Sequence, residues 1–463
     1  MVEKSANELL HKKLFLEHQS SWSQLNKNEV FKFAEDYKRF MSKSKTERLC
    51  IANIIETLEK NGYKDLANVK TAKIGDKLYK NFKEKAVLAV HVGKNPSRMQ
   101  LVGSHVDSPR LDLKPLPIYE DVGLGMIKTH YYGGVKKYHW VNLPLMLSGV
   151  IFTKSGRKIT INLGEKADDP KFIIPDLLPH LARKQMEKKG DELIEGEDLN
   201  IIVGNIPIED EKIKDPIKFA VMKHLHEVYG LVEEDFIVGE LELLPAGKPE
   251  DIGFDRALVA AYGQDDKVCV YTSLQALITI KNPQHLAVAM FVDKEEIGSS
   301  GDTGAASFLL KNFTNDLLSL LGAKMRAAKL LELSNAVSAD VTAAIDPNHK
   351  EAFDPSNSSV LGRGLSVEKY GGAYGKSYTN DASAEYMQYI RTLLDKKKIQ
   401  WQTGELGRID LGGGGTIGVF LARHGMNCLD VGPCVLGMHS PYEVASKADI
   451  YSAYQFYQTF LED

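Results

Sequence analysis

The stretch VAMFVDKEEIGSS, residues 288–300, joins an apolar run directly to a group of acids. Residues 286–292 are all apolar, which is typical of a buried β-strand, and Asp293, Glu295 and Glu296 follow at once. Carboxylates at the end of a buried strand repel one another and resist the loss of solvent, so they need a compensating partner. A divalent cation is one such partner, with one glutamate as its ligand and the neighbouring glutamate as a proton carrier. A solvated acidic loop is the competing interpretation, and the other strand ends must decide between them.

The composition is that of a soluble globular protein. Of the 463 residues, 43% are hydrophobic and 26% are charged, which provides for a sizeable core and about three domain-sized units. The net charge of -4 lacks the basic excess that nucleic acid or an anionic membrane would attract, so neither partner is expected. Four cysteines without a CxxC pair favour a reducing compartment. We find no apolar core in the N-terminal segment and no run of 18 apolar residues, which predicts a cytoplasmic protein without a membrane span.

Hydrophobic periodicity predicts two helices followed by strands in the first part of the chain. Apolar residues recur at helical spacing within residues 30–58. The segments AVLAVHVG, residues 86–93, and MQLVGSHVD, residues 99–107, are typical of strands, and the second ends in His105 and Asp107. An imidazole that binds a metal commonly donates its other N–H to a carboxylate. The pattern His-x-Asp therefore favours a ligand over an ordinary polar residue.

From about residue 117 to 244 the sequence changes to short strands separated by turns. YYGGVKKYHW, residues 131–140, is typical of a sheet with mixed exposure, and PDLLPHLARKQMEKK, residues 175–189, is predicted to be helical. The basic cluster in the latter indicates a solvated helix face. We therefore predict an α/β domain in two parts, residues 1–116 and 245–463, with a β-rich domain inserted between them.

Predicted strand ends throughout the α/β domain carry candidate ligands. They are His105, Asp107, Asp265, Glu295, Glu296, Asp340 and His439. In open α/β sheets a site forms in the crevice beyond the carboxyl ends of the strands. Two imidazoles and at least three carboxylates, without a thiolate, suit two divalent ions such as zinc, manganese or cobalt. Two such ions roughly 3.5–4 Å apart can hold a bridging hydroxide and polarise a carbonyl, while a remaining carboxylate serves as general base and acid.

Four motifs, taken together, resemble those of the aspartyl aminopeptidase and vacuolar aminopeptidase I family. They are GSHVDSPRLD, DKEEIGSS, SADVTAAIDPNH and VLGMHSP, in this order along the chain. The resemblance covers essentially the whole chain and implies a metallo-aminopeptidase that acts on peptides. It also implies a metalloprotease-type α/β fold with a mixed sheet flanked by helices, interrupted by a β-rich dimerisation domain. Subunits of this family assemble into a tetrahedral dodecamer.

The resemblance also implies a set of metal ligands. Matched motif by motif, Asp265 would bridge two ions, with zinc expected first and cobalt or manganese as alternatives. His105 and Asp340 would complete one ion site. Glu296 and His439 would complete the other.

Three further roles follow from the same resemblance. Glu295 would take a proton from the bridging water and pass it to the leaving amine, and Asp107 would orient His105. The family also has a Pro-His-Leu in its insertion whose histidine reaches the active site of a neighbouring subunit. Here that histidine is His180, within PHL at residues 179–181.

Two departures from the family's pattern leave questions open. Aspartyl-specific relatives have Arg-Leu-Asp-Asn around the bridging aspartate, where this chain has GQDD at residues 263–266. Asp265 lies nine residues before the run LQAL, as the family's aspartate does, which favours it, and Asp266 is the alternative. A basic residue associated with the selection of acidic side chains falls near Glu368 and Lys369. A glutamate at that place would repel acidic substrates and favour neutral N-terminal residues such as leucine.

Two hypotheses from other classes compete with an aminopeptidase. Gly413, Gly415 and Gly418 fit GxGxxG, and Asp430 lies 17 residues beyond Gly413, close to a dinucleotide-binding fingerprint. A nucleotide-binding oxidoreductase would explain this loop but not the glutamate pair or either histidine. A tight turn lining the peptidase cleft is the alternative for the loop. A catalytically inactive assembly or cargo protein of the same fold would be expected to lack Glu295 or a ligand, and none is missing.

Overall fold

The computed structural model describes residues 5–16 and 19–463 of the chain. Over these residues it forms eleven α-helices: α1 (Ala6–Leu14), α2 (Lys27–Lys43), α3 (Glu47–Lys60), α4 (Arg183–Met186), α5 (Pro216–Tyr229), α6 (Gln264–Thr279), α7 (Leu309–Leu320), α8 (Ala327–Glu332), α9 (Ala384–Lys397), α10 (Gly418–Ala422) and α11 (Lys447–Glu462). None of the helices in the described part of the chain is long and apolar enough to cross a membrane.

The strands form three sheets. In chain order they are β1 (Lys64–Asp65), β2 (Lys77–Phe82), β3 (Ala86–His91), β4 (Met99–His105), β5 (Arg110–Asp121), β6 (Leu124–Tyr132), β7 (Leu145–Phe152), β8 (Lys158–Leu163), β9 (Ile201–Gly204), β10 (Glu240–Pro245), β11 (Glu250–Ile252), β12 (Leu258–Ala261), β13 (Leu286–Val292), β14 (Asn335–Ser338), β15 (Thr342–Ala343), β16 (Leu365–Glu368), β17 (Trp401–Thr403), β18 (Asn427–Gly432), β19 (Cys434–Leu436) and β20 (Glu443–Ser446).

The largest sheet has β13 near its centre. Its strand order is β1-β2-β3-β13-β4-β14-β18-β16-β17, and β13, β4, β14 and β18 run parallel to their neighbours in this group. Their carboxyl ends therefore meet at one edge of the sheet. The strands β3 and β16 flank this group in the antiparallel sense, which makes the sheet mixed. The predicted α/β class with a mixed sheet flanked by helices is confirmed.

Helices cover both faces of this sheet, which explains why β13 is apolar at every position. Ala287, Ala289 and Phe291 pack in the core that includes α6 and α11. Val288 and Met290 point the other way, into the core that includes α7 and α8. A strand buried on both faces cannot alternate with polar residues, since each would need a partner inside the core.

A second sheet is antiparallel and has a core of its own. Its order is β8-β7-β10-β5-β6-β9, with strands between Arg110 and Pro245. Trp140 and Leu243, both fully buried, belong to its core. Because β5 begins five residues after the end of β4, this sheet starts directly at the edge where the parallel strands end.

The helix predicted over residues 175–189 is wrong for most of that segment. Only α4, four residues long, is helical there, and the preceding residues form exposed turns. Pro175 and Pro179 explain the difference, because proline lacks the N–H that a helix interior requires and disfavours helical geometry in the residue before it.

A third sheet, β11-β12-β20-β19-β15, packs beside the first. Its strand β12 leads into α6, which begins with the Asp265–Asp266 pair. The turn between β19 and β20 carries His439. These connections bring Asp265 and His439, which are 174 positions apart in the sequence, into contact.

Candidate metal centre

Three neighbouring parallel strands deliver acids and a histidine to one edge. His105 is the last residue of β4 and pairs with Val292, the last residue of β13. A 3₁₀ turn over Glu295–Ile297 follows β13, and Lys294 before it has a φ of 67°, so the chain reverses sharply there. Asp340 lies two residues beyond the end of β14. The carboxyl edge of the sheet thus collects polar groups from distant parts of the chain.

Asp265 lies between the two histidines and contacts both. Its Oδ1 is 3.1 Å from Nε2 of His105, and its Oδ2 is 3.2 Å from Nε2 of His439. Asp265 and His105 are buried. A carboxylate that presents one oxygen to each of two imidazole nitrogens is arranged to bridge two cations.

The other two candidate ligands flank this trio. Nε2 of His439 is 3.3 Å from Glu296 Oε2, and Nε2 of His105 is 3.8 Å from Asp340 Oδ1. Ligand atoms of His105, Asp265 and Glu296 all lie within 4.8 Å of one another. The structure therefore brings together all five residues that the sequence proposed as ligands.

The chemistry of this group fits a divalent cation. Glu296 Oε1 is buried and has no hydrogen-bond partner among residues 5–16 and 19–463. A buried carboxylate oxygen without a donor costs free energy, and a cation would satisfy it. Imidazole nitrogens and carboxylate oxygens without thiolate are a donor set that zinc, cobalt and manganese all accept.

Burial and crowding change the protonation of these acids. Burial raises the pKa of Glu295 to about 7, and the negative charges of Asp107 and Asp265 add to the shift against the nearby histidines. The pKa of Glu296 is raised well above its ordinary value by burial and then by Asp265. Burial would lower the pKa of His439, but Asp265 and Glu296 outweigh it and raise that pKa to about 10. A positively charged group among these carboxylates, a protonated histidine or a bound cation, is therefore strongly stabilised.

Asp107 lies behind His105 and is saturated with hydrogen bonds. Its backbone carbonyl oxygen accepts Nδ1–H of His105 at 3.1 Å, and its Oδ1 lies 3.3 Å from the same nitrogen and accepts the backbone N–H of Glu295 at 3.1 Å. Its Oδ2 accepts the hydroxyl of Tyr132 at 2.9 Å and the backbone N–H of Glu296 at 3.2 Å. Asp107 thus directs Nε2 of His105 toward Asp265 and also holds the turn that carries both glutamates.

Sequence reasoning missed Glu443, which holds two candidate ligands in place. This buried residue of β20 accepts the backbone N–H of His439 at 2.8 Å and that of Asp265 at 3.0 Å, one with each carboxylate oxygen. His439 has a φ of 65°, an unusual conformation that this hydrogen bond helps to hold. The acid four residues after His439 was the available signal, but nothing in its spacing indicated which groups it would contact.

Asp266 lies near His105 as well, because ligand atoms of His105, Asp266 and Asp340 all lie within 4.8 Å of one another. Its Oδ2 accepts the backbone N–H of His105 at 3.3 Å, and its Oδ1 is buried without a partner in the described part of the chain. Burial raises the pKa of Asp266 well above its ordinary value. Asp265 contacts both histidine rings, whereas the hydrogen bond of Asp266 is to the backbone of His105, which favours Asp265 as the bridging residue.

The site opens into a cavity of about 590 Å³. The candidate ligands Asp265, Glu296, Asp340 and His439 line it, together with Glu295. The rest of its lining includes apolar side chains, backbone, one further acid and one basic side chain: Val419, Phe420, Met438, Leu406, Gly413, Gly414, Gly415, Glu368 and Arg423. A cavity of this size accommodates the end of a peptide.

The glycine loop lines this cavity and lacks the context of a dinucleotide fold. The strand before it, β17, ends at Thr403, ten residues before Gly413. A Cβ at Gly413 would lie 2.3 Å from the carbonyl oxygen of Gly372, so glycine serves a close approach of two loops. These observations favour the interpretation of the loop as a turn in the cleft wall.

His180 lies away from this group. It occupies an exposed turn before α4 and is not among the cavity-lining residues described above. Leu177, Leu178 and Leu181 beside it are also exposed, at 45%, 49% and 66%. Its role toward a neighbouring subunit stays a prediction.

Comparison with known proteins identifies relatives along nearly the whole chain. The model of the aminopeptidase I zinc metalloprotease (M18) family matches residues 40–461. A probable M18 family aminopeptidase 1 of Clostridium acetobutylicum is 45% identical over 461 residues, covering 97% of this chain and 99% of the relative. The crystal structure of an M18 aminopeptidase from Thermotoga maritima is 42% identical, with a TM-score of 0.94, and covers 97% of this chain and 100% of its own.

A more distant structure shares the fold. The yeast mApe1 dodecamer has a TM-score of 0.75 at 21% identity, over 94% of this chain and 97% of that chain. The family match spans every strand of the first and second sheets and every candidate ligand. The donor set at the sheet edge is consistent with a zinc hydrolase. The chain therefore belongs to the M18 family of zinc metallo-aminopeptidases, which are hydrolases.

Proposed function

We propose that this chain removes N-terminal residues from peptides with the help of two divalent ions held at the candidate metal centre. The contact of Asp265 with both histidines carries the proposal, because its two oxygens face different imidazoles. In this assignment Asp265 bridges the ions. His105 and Asp340 complete one ion site, and Glu296 and His439 complete the other. Zinc is the expected ion, with cobalt and manganese as alternatives.

The side chains around the ions would divide the hydrolytic work. The bound ions would supply Lewis-acid activation of a water molecule and of the scissile carbonyl. Glu295 is placed on the cavity wall beside the ligands and would accept the proton of the attacking water. The protonated Glu295 would then return that proton to the leaving amine. Asp107 would keep the Nε2 atom of His105 directed at its ion.

Asp107→Asn is expected to weaken metal affinity by roughly 10–100-fold, as changes to groups that orient a ligand do. The amide keeps the shape of the carboxylate, but its NH₂ group cannot accept the hydrogen bonds that one of the two carboxylate oxygens accepts from Tyr132, Glu295 or Glu296. Competition between the protein and a chromogenic chelator for zinc measures the effect. Asp121→Asn, on an exposed acid at the end of β5, is the matched control. Equal affinity in the two variants would contradict the orienting role.

Glu368 supports a proposal about specificity. It lines the same cavity as the candidate ligands and accepts a hydrogen bond from Thr342. Burial raises its pKa to about 8, so the neutral acid predominates at pH 7 and repels an acidic substrate less than a carboxylate would. An acidic side chain gains no positive charge from Glu368 and loses its hydration in the cavity, where Arg423 is the basic side chain that would have to offset this loss. We therefore expect neutral N-terminal residues such as leucine to be preferred over aspartate and glutamate.

A substrate panel tests the function and the specificity together. Protein loaded separately with zinc, cobalt and manganese is given Leu, Met, Asp, Glu and Lys amides and matching short peptides. Faster cleavage of Leu and Met than of Asp and Glu is expected, with no cleavage of N-acetylated peptides. Cleavage confined to Asp and Glu would refute the role given to Glu368 while keeping the mechanism. Absence of turnover on every substrate with metal bound would favour a catalytically inactive assembly protein.

The domain organisation and assembly are also proposals. Residues 1–116 and 245–463 would form the catalytic domain, and residues 117–244 a dimerisation domain, consistent with the separate core of the second sheet. The exposed leucines around His180 suit a surface that another subunit covers. A dodecamer, as in the yeast relative, would let His180 reach the cavity of a neighbour. We propose a cytoplasmic location for the assembled protein.

A further inference from the structure

The end of β6 belongs to the second sheet, yet it reaches the candidate metal centre. Tyr132 is the last residue of β6, and Gly133 and Gly134 follow it. A Cβ at Gly133 would lie 3.3 Å from Cβ of Glu296, so the backbone passes close to that side chain. Gly134 itself lines the cavity. One short segment of the second sheet therefore touches the site at several points.

Tyr132 contacts the site through Asp107. Its hydroxyl donates to Asp107 Oδ2 at 2.9 Å, and it is the only side-chain hydroxyl that does so among residues 5–16 and 19–463. The other partners of Asp107 are the His105 ring and the backbone N–H groups of Glu295 and Glu296. Those three groups come from the first sheet and its turns. The fourth bond, from Tyr132, therefore ties Asp107 to the second sheet.

The ring of Tyr132 is itself fixed in place. The guanidinium of Arg110 lies 3.9 Å from the ring centroid, a cation–π contact. Arg110 is buried and forms ion pairs with Asp112 at 2.8 Å, Glu242 at 3.4 Å and Glu47 at 3.7 Å. Glu47 lies on α3, which packs against the first sheet, whereas Glu242 lies on β10 of the second sheet. Arg110 thus holds the Tyr132 ring between the two sheets.

The same segment also contacts the second histidine. Nδ1–H of His439 donates to the carbonyl oxygen of Gly134 at 2.8 Å, which leaves Nε2 directed at Asp265 and Glu296. On the Nδ1 side, both candidate imidazole ligands therefore face a group that residues 132–134 contact or provide. His105 is held through Asp107, and His439 is held directly.

We propose that Tyr132 is a positioning residue that fixes Asp107, and through it His105, for metal binding. This inference rests on the proposed function. A cation bound by His105 Nε2 requires a ring whose orientation is already set, and that orientation depends on the backbone carbonyl and the carboxylate of Asp107 behind it. Without the Tyr132 hydroxyl, the Asp107 carboxylate is held only by the backbone N–H groups of Glu295 and Glu296 and by the His105 ring, and its hydrogen bond to the second sheet is lost. The metal centre is then coupled to the packing of the second sheet through Tyr132 and Arg110.

Tyr132→Phe tests the proposal because it removes the hydroxyl and leaves the ring beside Arg110. Zinc affinity, measured by chelator competition, is expected to fall about tenfold, the lower end of the range for groups behind a ligand. Tyr131→Phe is the matched control, since Tyr131 is the neighbouring tyrosine and is 42% exposed. A thermal melt of the metal-free variants checks that both fold as the wild type does. Wild-type affinity in Tyr132→Phe would overturn the proposal.

A double-mutant cycle with Asp107→Asn distinguishes positioning from a general structural role. If Tyr132 acts through Asp107, its removal should weaken zinc binding about tenfold in the wild type and less than twofold in Asp107→Asn. Equal, additive losses in both backgrounds would overturn action through Asp107. Wild-type protein that binds no divalent ion would overturn the proposed function as well. Wild-type protein that binds zinc, with an unaffected Tyr132→Phe, would overturn this inference alone.

Discussion

Glu295→Gln is expected to keep bound metal and substrate affinity while kcat falls by about 10²–10⁴-fold. Glutamine has nearly the shape of glutamate but cannot accept a proton from water or return one to the leaving amine. In the metal-free protein burial raises the pKa of Glu295 to about 7, which makes it a stronger base than an exposed glutamate. Metal content after gel filtration, together with kcat and KM on a leucine amide, measures the effect.

Glu296→Gln is the matched variant on the adjacent residue. It is expected to lose metal, because Glu296 Oε2 lies 3.3 Å from His439 Nε2 and belongs to the group of candidate ligand atoms. If Glu295→Gln loses metal while Glu296→Gln keeps it, the roles of the two glutamates are exchanged. If turnover in Glu295→Gln equals that of the wild type, Glu295 does not carry the proton.

Asp265→Asn is expected to reduce bound metal below two ions per chain and to lower kcat by more than about 10³-fold. A bridging carboxylate offers an oxygen to each ion, whereas the amide offers one oxygen and an NH₂ group that cannot bind a cation. Both imidazoles that Asp265 contacts would then face a group that cannot neutralise two ions. Elemental analysis of the purified variant and its kcat on the preferred substrate measure the result.

Asp266→Asn is the control for that variant, at the next residue in the chain. Because the pKa of Asp266 is raised well above its ordinary value, its neutral acid resembles an amide. Asparagine can still accept the backbone N–H of His105, as Asp266 Oδ2 does. Metal content and kcat are therefore expected to stay within a few-fold of the wild type. The reverse result, with metal lost only in Asp266→Asn, would move the bridging role to Asp266.

Several ligand candidates could be predicted from the sequence because strand ends are visible in it. The apolar run of residues 286–292 is long enough to be a buried strand, and the acids directly after it mark the end of that strand. His105 and Asp107 follow another such run. Parallel strands place their carboxyl ends at one edge, so proximity of these groups follows from the fold class.

The helix predicted over residues 175–189 illustrates the opposite case. Its apolar residues have helical spacing, but two prolines interrupt the backbone, and the exposed leucines find no core within the chain. Periodicity reports which residues could share a face. It does not report whether another element is there to cover that face.

The sequence by itself determined the fold class, the apolar strands that build the first sheet and the residue types that gather at its edge. These follow from local chemistry, since burial on both faces requires continuous apolar runs and clustered acids require partners that offset their charge. Only the tertiary structure decided which aspartate faces both histidines, and which groups stand behind the ligands. Glu443 and Tyr132 come from two other sheets, and their contacts depend on the path of strands far away in the chain. Such contacts leave no periodicity in the sequence, because a single hydrogen bond between distant residues constrains only the two positions that make it.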